Sequence, residues 1–227
     1  VRDADGEPVR MTASSTEITD RKTFENQLFH DAFHDTLTGL PNRALFTDRL
    51  NHAINRSRRH KAEPFAVLFL DFDRFKIIND TLGHQVGDRM LMEISARLIR
   101  CLRPSDTIAR FGGDEFAVLI EDLHDQEEVL MVTERIISTM RNPFILEGHE
   151  IVSSASIGIA IGEGDYAHTE DVLRDADIAM YEAKHRGKDR YVVFDSAMGA
   201  NVVRALQIEN DLRRAIERDE LRLVYQP

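Results

Sequence analysis

Two short acidic runs carry the chemistry this sequence could do. In Phe65-Ala66-Val67-Leu68-Phe69-Leu70-Asp71-Phe72-Asp73, six consecutive apolar residues run into Asp-Phe-Asp. That pattern predicts a strand buried on both faces and ending on a carboxylate. In the stretch from Asp106 to Ile120, two apolar runs flank Gly112-Gly113, and Asp114 and Glu115 follow the glycines. A Gly-Gly pair between such runs predicts a tight hairpin with both central residues at positive φ. Backbone without Cβ atoms there lets another molecule approach closely. Taken alone, the hairpin fits a solvated acidic turn as well as it fits a site. Pairing it with the first strand would bring Asp71 and Asp114 side by side in an oxygen-only site. Such a site suits Mg²⁺ (or Mn²⁺), which keeps waters and takes one or two carboxylates plus substrate phosphates. Ligands in sheets of this kind tend to sit at strand ends. Asp73 is expected to face away from Asp71 and to stay out of the metal shell.

Helices and strands must hold these acids in place. Asn42 to Lys61 reads as an amphipathic helix capped by Asn42, with Leu45, Phe46, Leu50, Ala53 and Ile54 inward. A short helix is expected over 75–82, broken by Gly83. A longer one is expected over 88–102, with Leu91, Ile94, Leu98, Ile99 and Leu102 at helical spacing and Pro104 beyond it. After the hairpin come a helix over 125–141, strands near 144–152 and 153–161, a helix over 169–187 and a last strand over 191–194. Alternating helices and strands around an antiparallel hairpin predict an α+β sandwich, helices over a largely antiparallel sheet.

Composition narrows the partners. The 227 residues carry a formal net charge of -11, which argues against a nucleic-acid or anionic-membrane surface. An anionic nucleotide would have to be recruited through a metal and a few cations. The single cysteine, Cys101, lies on an apolar helix face and reads as a buried structural thiol. With no disulfide framework, a cytoplasmic setting fits best. No run reaches membrane-spanning length, so this segment is expected to make no membrane contact, although a longer parent could be anchored. His30 and His34 are four apart, but without a third nearby ligand they read as solvated helix residues.

Arg110-Phe111-Gly112-Gly113-Asp114-Glu115-Phe116 reproduces the signature of the GGDEF domain, the diguanylate cyclase family. Asp35-Thr36-Leu37-Thr38-Gly39-Leu40-Pro41-Asn42-Arg43 resembles the family's first motif. The run Asp71 to Asp80, continued by Gly83-His84 and Gly87-Asp88, resembles its nucleotide-binding segment. The resemblance spans residues 31 to 195. It implies a palm-like nucleotide cyclase fold with a ferredoxin-like core, and condensation of two GTP into cyclic di-GMP with release of two pyrophosphates. The reaction would be metal-assisted, would occur between two copies in a homodimer, and would be subject to product inhibition.

The same resemblance assigns residues. Asp71, the Phe72 carbonyl, Asp114 and Glu115 would hold metal. Asp114, Glu115 and Lys76 would be catalytic, with Asp114 near the attacking 3′-hydroxyl, although a carboxylate beside metal is a poor base. Phe75, Gly112, Gly113 and His84 would contact substrate, His84 being as readily structural. Asn79 and Asp88 would read guanine, whose N1–H and amine suit a carboxylate and whose acceptors suit an amide. Asp88 alone also fits a helix N-terminal charge. Lys184 and Lys188 would bind the terminal phosphates from one side of a helix end, Lys188 standing where the family usually has Arg. A Lys there keeps the charge and loses the bidentate fork. Arg103-Pro104-Ser105-Asp106 fits the RxxD inhibitory site, about 20 Å from the hairpin tip along the strand, although a local turn-closing ion pair fits the same spacing.

The ends read as pieces of neighbours in a longer protein. Residues 1–19 resemble the tail of a PAS sensor domain, and 20–34 a helical signalling linker. The cyclase domain is expected over 35–196. Residues 197–227 resemble a linker helix and the first strand of a truncated EAL phosphodiesterase domain. A second reading therefore stands beside the first: a catalytically silent GTP-binding domain that regulates a downstream EAL domain.

Overall fold

The computed structural model describes residues 31–59 and 63–199, with five single positions beyond them (Asp211, Arg214, Ala215, Arg218 and Glu220). His30, the sensor tail, most of the linker helix and the final strand expected over 221–227 lie outside the described residues.

Helix α1 spans Arg43–Arg59, and Asn42 caps it by accepting from the backbone N–H groups of Ala44 (2.9 Å) and Leu45 (3.2 Å). Strand β1, Phe65–Phe72, is followed by the short helix α2, Phe75–Leu82, and by α3, His84–Arg100. The hairpin is β2, Thr107–Gly112, and β3, Glu115–Ile120. Helix α4, Gln126–Met140, is capped by Asp125, whose carboxylate accepts from the Glu128 N–H. Strands β4 (Phe144–Leu146) and β5 (His149–Ile151) form a separate two-stranded ribbon. Strand β6, Ala155–Gly162, helix α5, Thr169–His185, and strand β7, Arg190–Val193, complete the domain.

The main sheet has the order β2-β3-β1-β6-β7. All its pairs are antiparallel except β6 with β7. Strands β1, β2, β3 and β6 with their helices form the split β-α-β-β-α-β unit of a ferredoxin-like core, to which α5 and β7 add an edge. The α+β class and the mostly antiparallel sheet are thus as the sequence predicted. Alternation along β1 sends Leu68, Leu70 and Phe72 to the layer built by α3 and α4. Val67 and Phe69 go to the layer built by α1 and α5.

Four local expectations need correction. Helix α3 starts at His84, four residues before Asp88, so Asp88 lies beyond its first turn. Ile99, expected in its apolar stripe, is 54 % exposed. The strand expected over 144–152 is the β4-β5 ribbon, turned at Glu147-Gly148, whose φ angles of 51° and 82° fit a tight two-residue hairpin. Helix α5 ends at His185, so Lys188 lies outside it and the helical i, i+4 relation with Lys184 does not hold.

Candidate active site

The site is built where β1, β3 and β6 end together. Asp71 sits directly across from Glu115 on β3 and from Ser156 on β6. Asp114 occupies the turn beside that pair. The turn's central residues are Gly113 and Asp114, because Gly112 pairs with Glu115. This corrects the prediction of Gly112-Gly113 at the centre. Gly113 has φ 52°, the positive value that the first central position of a II′ turn needs. Gly112, at φ 143°, takes up a register shift between Arg110 and Gly112. A Cβ on either glycine would meet nothing within 4 Å, so the tip is open to an approaching ligand.

Electrostatics single out these acids. Asp71 is pushed above its ordinary value, chiefly by burial, with Asp114 and Asp73 adding to it against the opposing Lys184. Glu115 is raised by desolvation and then by Asp177, Asp71 and Asp114. Asp177 on α5 is raised by desolvation, opposed by Lys184. Crowded carboxylates with hard oxygen donors are what a divalent cation relieves, so the donor set fits Mg²⁺ or Mn²⁺. Among the described residues, no three His, Cys, Asp or Glu side chains already stand together as a metal-ligand group. Instead the Lys184 ammonium lies 2.7 Å from Asp71 Oδ2.

Lys184 reaches Asp71 because α5 lies tight on the sheet at Gly158. A Cβ there would come within 2.0 Å of the Ala176 carbonyl oxygen and 2.2 Å of the Met180 nitrogen. Asp177, seven residues before Lys184, shares its helix face. That spacing is visible in the sequence, although Asp177 was not among the residues expected at the site. A groove of about 580 Å³ opens beside Glu115 and Asp177, with Phe69, Phe111 and Arg43 among its lining. Asn79 and Asp88 are not part of that groove.

On the other face, α2 follows β1 through Arg74, a left-handed residue with φ 66° that makes no side-chain cap. Lys76 is exposed in the first turn of α2. Phe75 is buried in the core, so its ring floors the site rather than opening to it. Gly87 brings α2 and α3 together, since a Cβ there would meet the Asn79 Oδ1 at 1.9 Å. Asn79 therefore lies against the residue that precedes the exposed Asp88. His84 is exposed at the start of α3. Phe72 is buried, its ring 5.5 Å from that of Phe116. Asp73, expected to face away from Asp71, lies in the turn just past β1. Residues two apart on a strand share a face, but Asp73 is consumed by Ser154 and Ser156 (2.5 and 2.9 Å).

A brace under the hairpin was also missed. Arg110 donates Nη1 to both carboxylate oxygens of Asp35 (2.9 and 3.0 Å). Its Nε and Nη2 go to the Gly113 carbonyl (3.0 and 2.9 Å). Burial alone would raise Asp35, but bonds from Thr38 and Arg110 outweigh it and hold the carboxyl below its usual value.

These motifs sit inside a recognised unit, for the family model "Diguanylate cyclase, GGDEF domain" matches residues 32–190. The chain belongs to the GGDEF family. It is 44 % identical over 201 residues to the bifunctional diguanylate cyclase/cyclic di-GMP phosphodiesterase MucR of Pseudomonas aeruginosa, covering 88 % of this chain and 29 % of MucR. The chain thus spans less than a third of that relative. Among solved structures, the GGDEF domain of TpbB (YfiN) from P. aeruginosa superposes with TM-score 0.72 at 42 % identity, covering 74 % of this chain and 98 % of that one. The coiled coil and GGDEF domain of DgcB from Caulobacter crescentus, in complex with c-di-GMP, gives TM-score 0.71 at 27 % identity, covering 78 % and 93 %.

In this GGDEF domain the Arg103–Asp106 turn lies at the opposite end of β2 from the hairpin tip. Asp106 closes the turn on the Arg103 backbone N–H (2.9 Å), not on its guanidinium. The guanidinium pairs with Glu128 of α4, so the alternative reading, a local Arg103–Asp106 ion pair, is not what forms. Asp106 Oδ1 is buried without a hydrogen-bond partner. Arg135 of α4 donates to the Cys101 carbonyl just before the turn, and Cys101 is a buried thiol as predicted.

Proposed function

We propose that this domain is a diguanylate cyclase, condensing two GTP into cyclic di-GMP and two pyrophosphates between two copies of the chain. The observation that carries this is the meeting of Asp71 with Glu115 across β1 and β3, with Asp114 in the adjoining turn and Lys184 above them. Asp71, Asp114, Glu115 and the Phe72 carbonyl are the groups that would hold Mg²⁺ or Mn²⁺. That ion, when bound, offsets phosphate charge as pyrophosphate leaves.

The chain's own residues do the rest. Asn79 and Asp88 would read the guanine edges, with His84 bordering them and Phe75 buried beneath. Lys76, at an uncapped helix start, and Lys184 with Lys188 would hold the phosphates, while Gly112 and Gly113 admit them closely. Asp114 and Glu115 flank the position of the attacking 3′-hydroxyl. Each domain binds one GTP, so the 3′-hydroxyl of one must meet the α-phosphate of the other. The homodimeric encounter is therefore part of the site, and bringing the reactants together accounts for much of the rate. The Arg103–Asp106 turn, with its unpaired carboxylate oxygen, suits the guanine of cyclic di-GMP as an inhibitor. No helix among the described residues is long and apolar enough to cross a membrane.

A second reading is a silent GTP-binding domain that regulates a downstream EAL domain. Lys188 in place of Arg and the Lys184–Asp71 pair favour it. Incubation with GTP and Mg²⁺, followed by chromatography, separates the readings. Cyclic di-GMP is expected. Binding without product would favour the regulator, and no binding at all would leave only an interaction scaffold.

A further inference from the structure

Asp73 is 5 % exposed, and its polar atoms reach two separate segments of chain. Oδ2 accepts from the Ser154 hydroxyl (2.5 Å) and from the Asp189 backbone N–H (3.2 Å). Oδ1 accepts from the Ser156 hydroxyl (2.9 Å). Its own N–H donates to the Ser154 carbonyl (2.9 Å), and its carbonyl accepts from the Ser153 hydroxyl (3.2 Å).

The Asp189 end of this network is a strained turn. Gly187, Lys188 and Asp189 have φ 113°, 64° and 49°. Two non-glycine residues in succession at positive φ persist only where their surroundings hold them. On the side away from Asp73, Arg141 just past α4 donates Nε to both Asp189 carboxylate oxygens (3.0 and 2.9 Å). The other end of the network is strained too, because Arg74, next to Asp73, is left-handed and leads into the helix that carries Lys76. One buried carboxylate thus ties the segment bearing Lys76 to the segment bearing Lys188.

We propose that Asp73 is a positioning residue for the triphosphate, holding the Gly187–Asp189 turn against the start of α2 so that Lys188 and Lys76 are presented to one anion. This rests on the reading of the domain as a GTP-binding cyclase. The experiment measures steady-state kinetics with GTP and Mg²⁺, together with inhibition by inorganic tripolyphosphate and by GMP. In Asp73→Asn one carboxylate oxygen becomes an amide that cannot accept. The KM for GTP and the inhibition constant of tripolyphosphate should each rise about tenfold, the effect of one lost charge-assisted hydrogen bond. Inhibition by GMP should stay within about twofold, and kcat should fall by less than KM rises. Arg141→Gln, at an exposed side chain that threatens the fold little, should move tripolyphosphate in the same direction by about threefold. It decides alone if Asp73→Asn does not fold. Unchanged tripolyphosphate inhibition in the variants, or parallel weakening of tripolyphosphate and GMP, overturns the positioning role and leaves the cyclase reading intact. Failure of the unsubstituted chain to bind GTP overturns both.

Discussion

The Lys184 ammonium lies 2.7 Å from Oδ2 of Asp71, so a cation proposed to receive phosphate is paired with an acid proposed to receive metal. The two duties compete. Replacing Lys184 by Met should therefore strengthen Mn²⁺ binding to the nucleotide-free protein by about three- to tenfold, since a unit charge is removed at contact distance. The KM for GTP should rise at least tenfold, to roughly the extent of one phosphate contact. Mn²⁺ titration by electron paramagnetic resonance reads the first effect. Weaker Mn²⁺ binding in the variant would place the cation elsewhere.

Glu115 gives a pH signature. Desolvation, then Asp177, Asp71 and Asp114, raise it above its ordinary 4.5. A carboxyl raised on folding favours the folded state at low pH, and that advantage is lost as pH rises through its folded value. At neutral pH the ionised group is thus a cost to the fold, as is common in sites built for function. Glu115→Gln should raise Tm at pH 7.5 by about 2 °C while turnover falls about 100-fold or more. The Tm gap should close near pH 4. A variant less stable than the parent at pH 7.5 would contradict this.

Much of this was legible in advance, for identifiable reasons. Asp71 was found because six apolar residues before it announce a strand buried on both faces. The hairpin was found because β-branched runs flank glycines. What failed was local geometry that depends on partners. Gly112-Gly113 was placed at the turn centre because sequence shows two glycines, not that the register shifts so as to leave Gly112 opposite Glu115. The end of α5 was overrun because Gly187 closes it, with the Lys188 N–H returning to the Ala183 carbonyl (3.1 Å), a Schellman ending. Asp35 and Arg110, 75 positions apart, carry no local signal of their meeting.

That Asp35–Arg110 brace behaves oppositely to Glu115 with pH. Bonds from Thr38 and Arg110 outweigh burial and hold Asp35 below 3.8. A lowered carboxyl contributes stability that is present above the unfolded value and lost as pH falls through the folded one. Asp35→Asn should cost about 2 kcal/mol at pH 7, and the gap from the parent should shrink below pH 3.8. Urea denaturation at the two pH values tests it. A gap that persists in acid would assign the loss to packing, not charge.

At the far end of β2, the buried Asp106 Oδ1 has no hydrogen-bond partner, and the exposed Arg103 guanidinium pairs with the largely buried Glu128 carboxylate. A guanine taking the Arg103 guanidinium would displace Glu128. Arg103→Ala should weaken inhibition by cyclic di-GMP about tenfold or more and leave uninhibited turnover within about twofold. Calorimetric titration with cyclic di-GMP measures it directly. Undiminished affinity would remove this turn from the inhibitory site.

Gly158 offers a test of how closely α5 must lie. A methyl group there would stand 2.0 Å from the Ala176 carbonyl oxygen and 2.2 Å from the Met180 nitrogen. Both contacts are backbone, so no side-chain rotation relieves them and the helix must lift. Overpacking of this kind costs about 1–3 kcal/mol. The helix carries Asp177 just after Ala176 and Lys184 one turn after Met180, so the lift moves both relative to Asp71. Gly158→Ala should therefore lose more in kcat/KM, corrected for the folded fraction, than its stability loss explains, by about tenfold or more for a displacement near 1 Å. If thermal unfolding shows the expected loss while activity per folded molecule is unchanged, the distance between α5 and the sheet does not set the site. The Lys184–Asp71 contact would then be incidental to turnover.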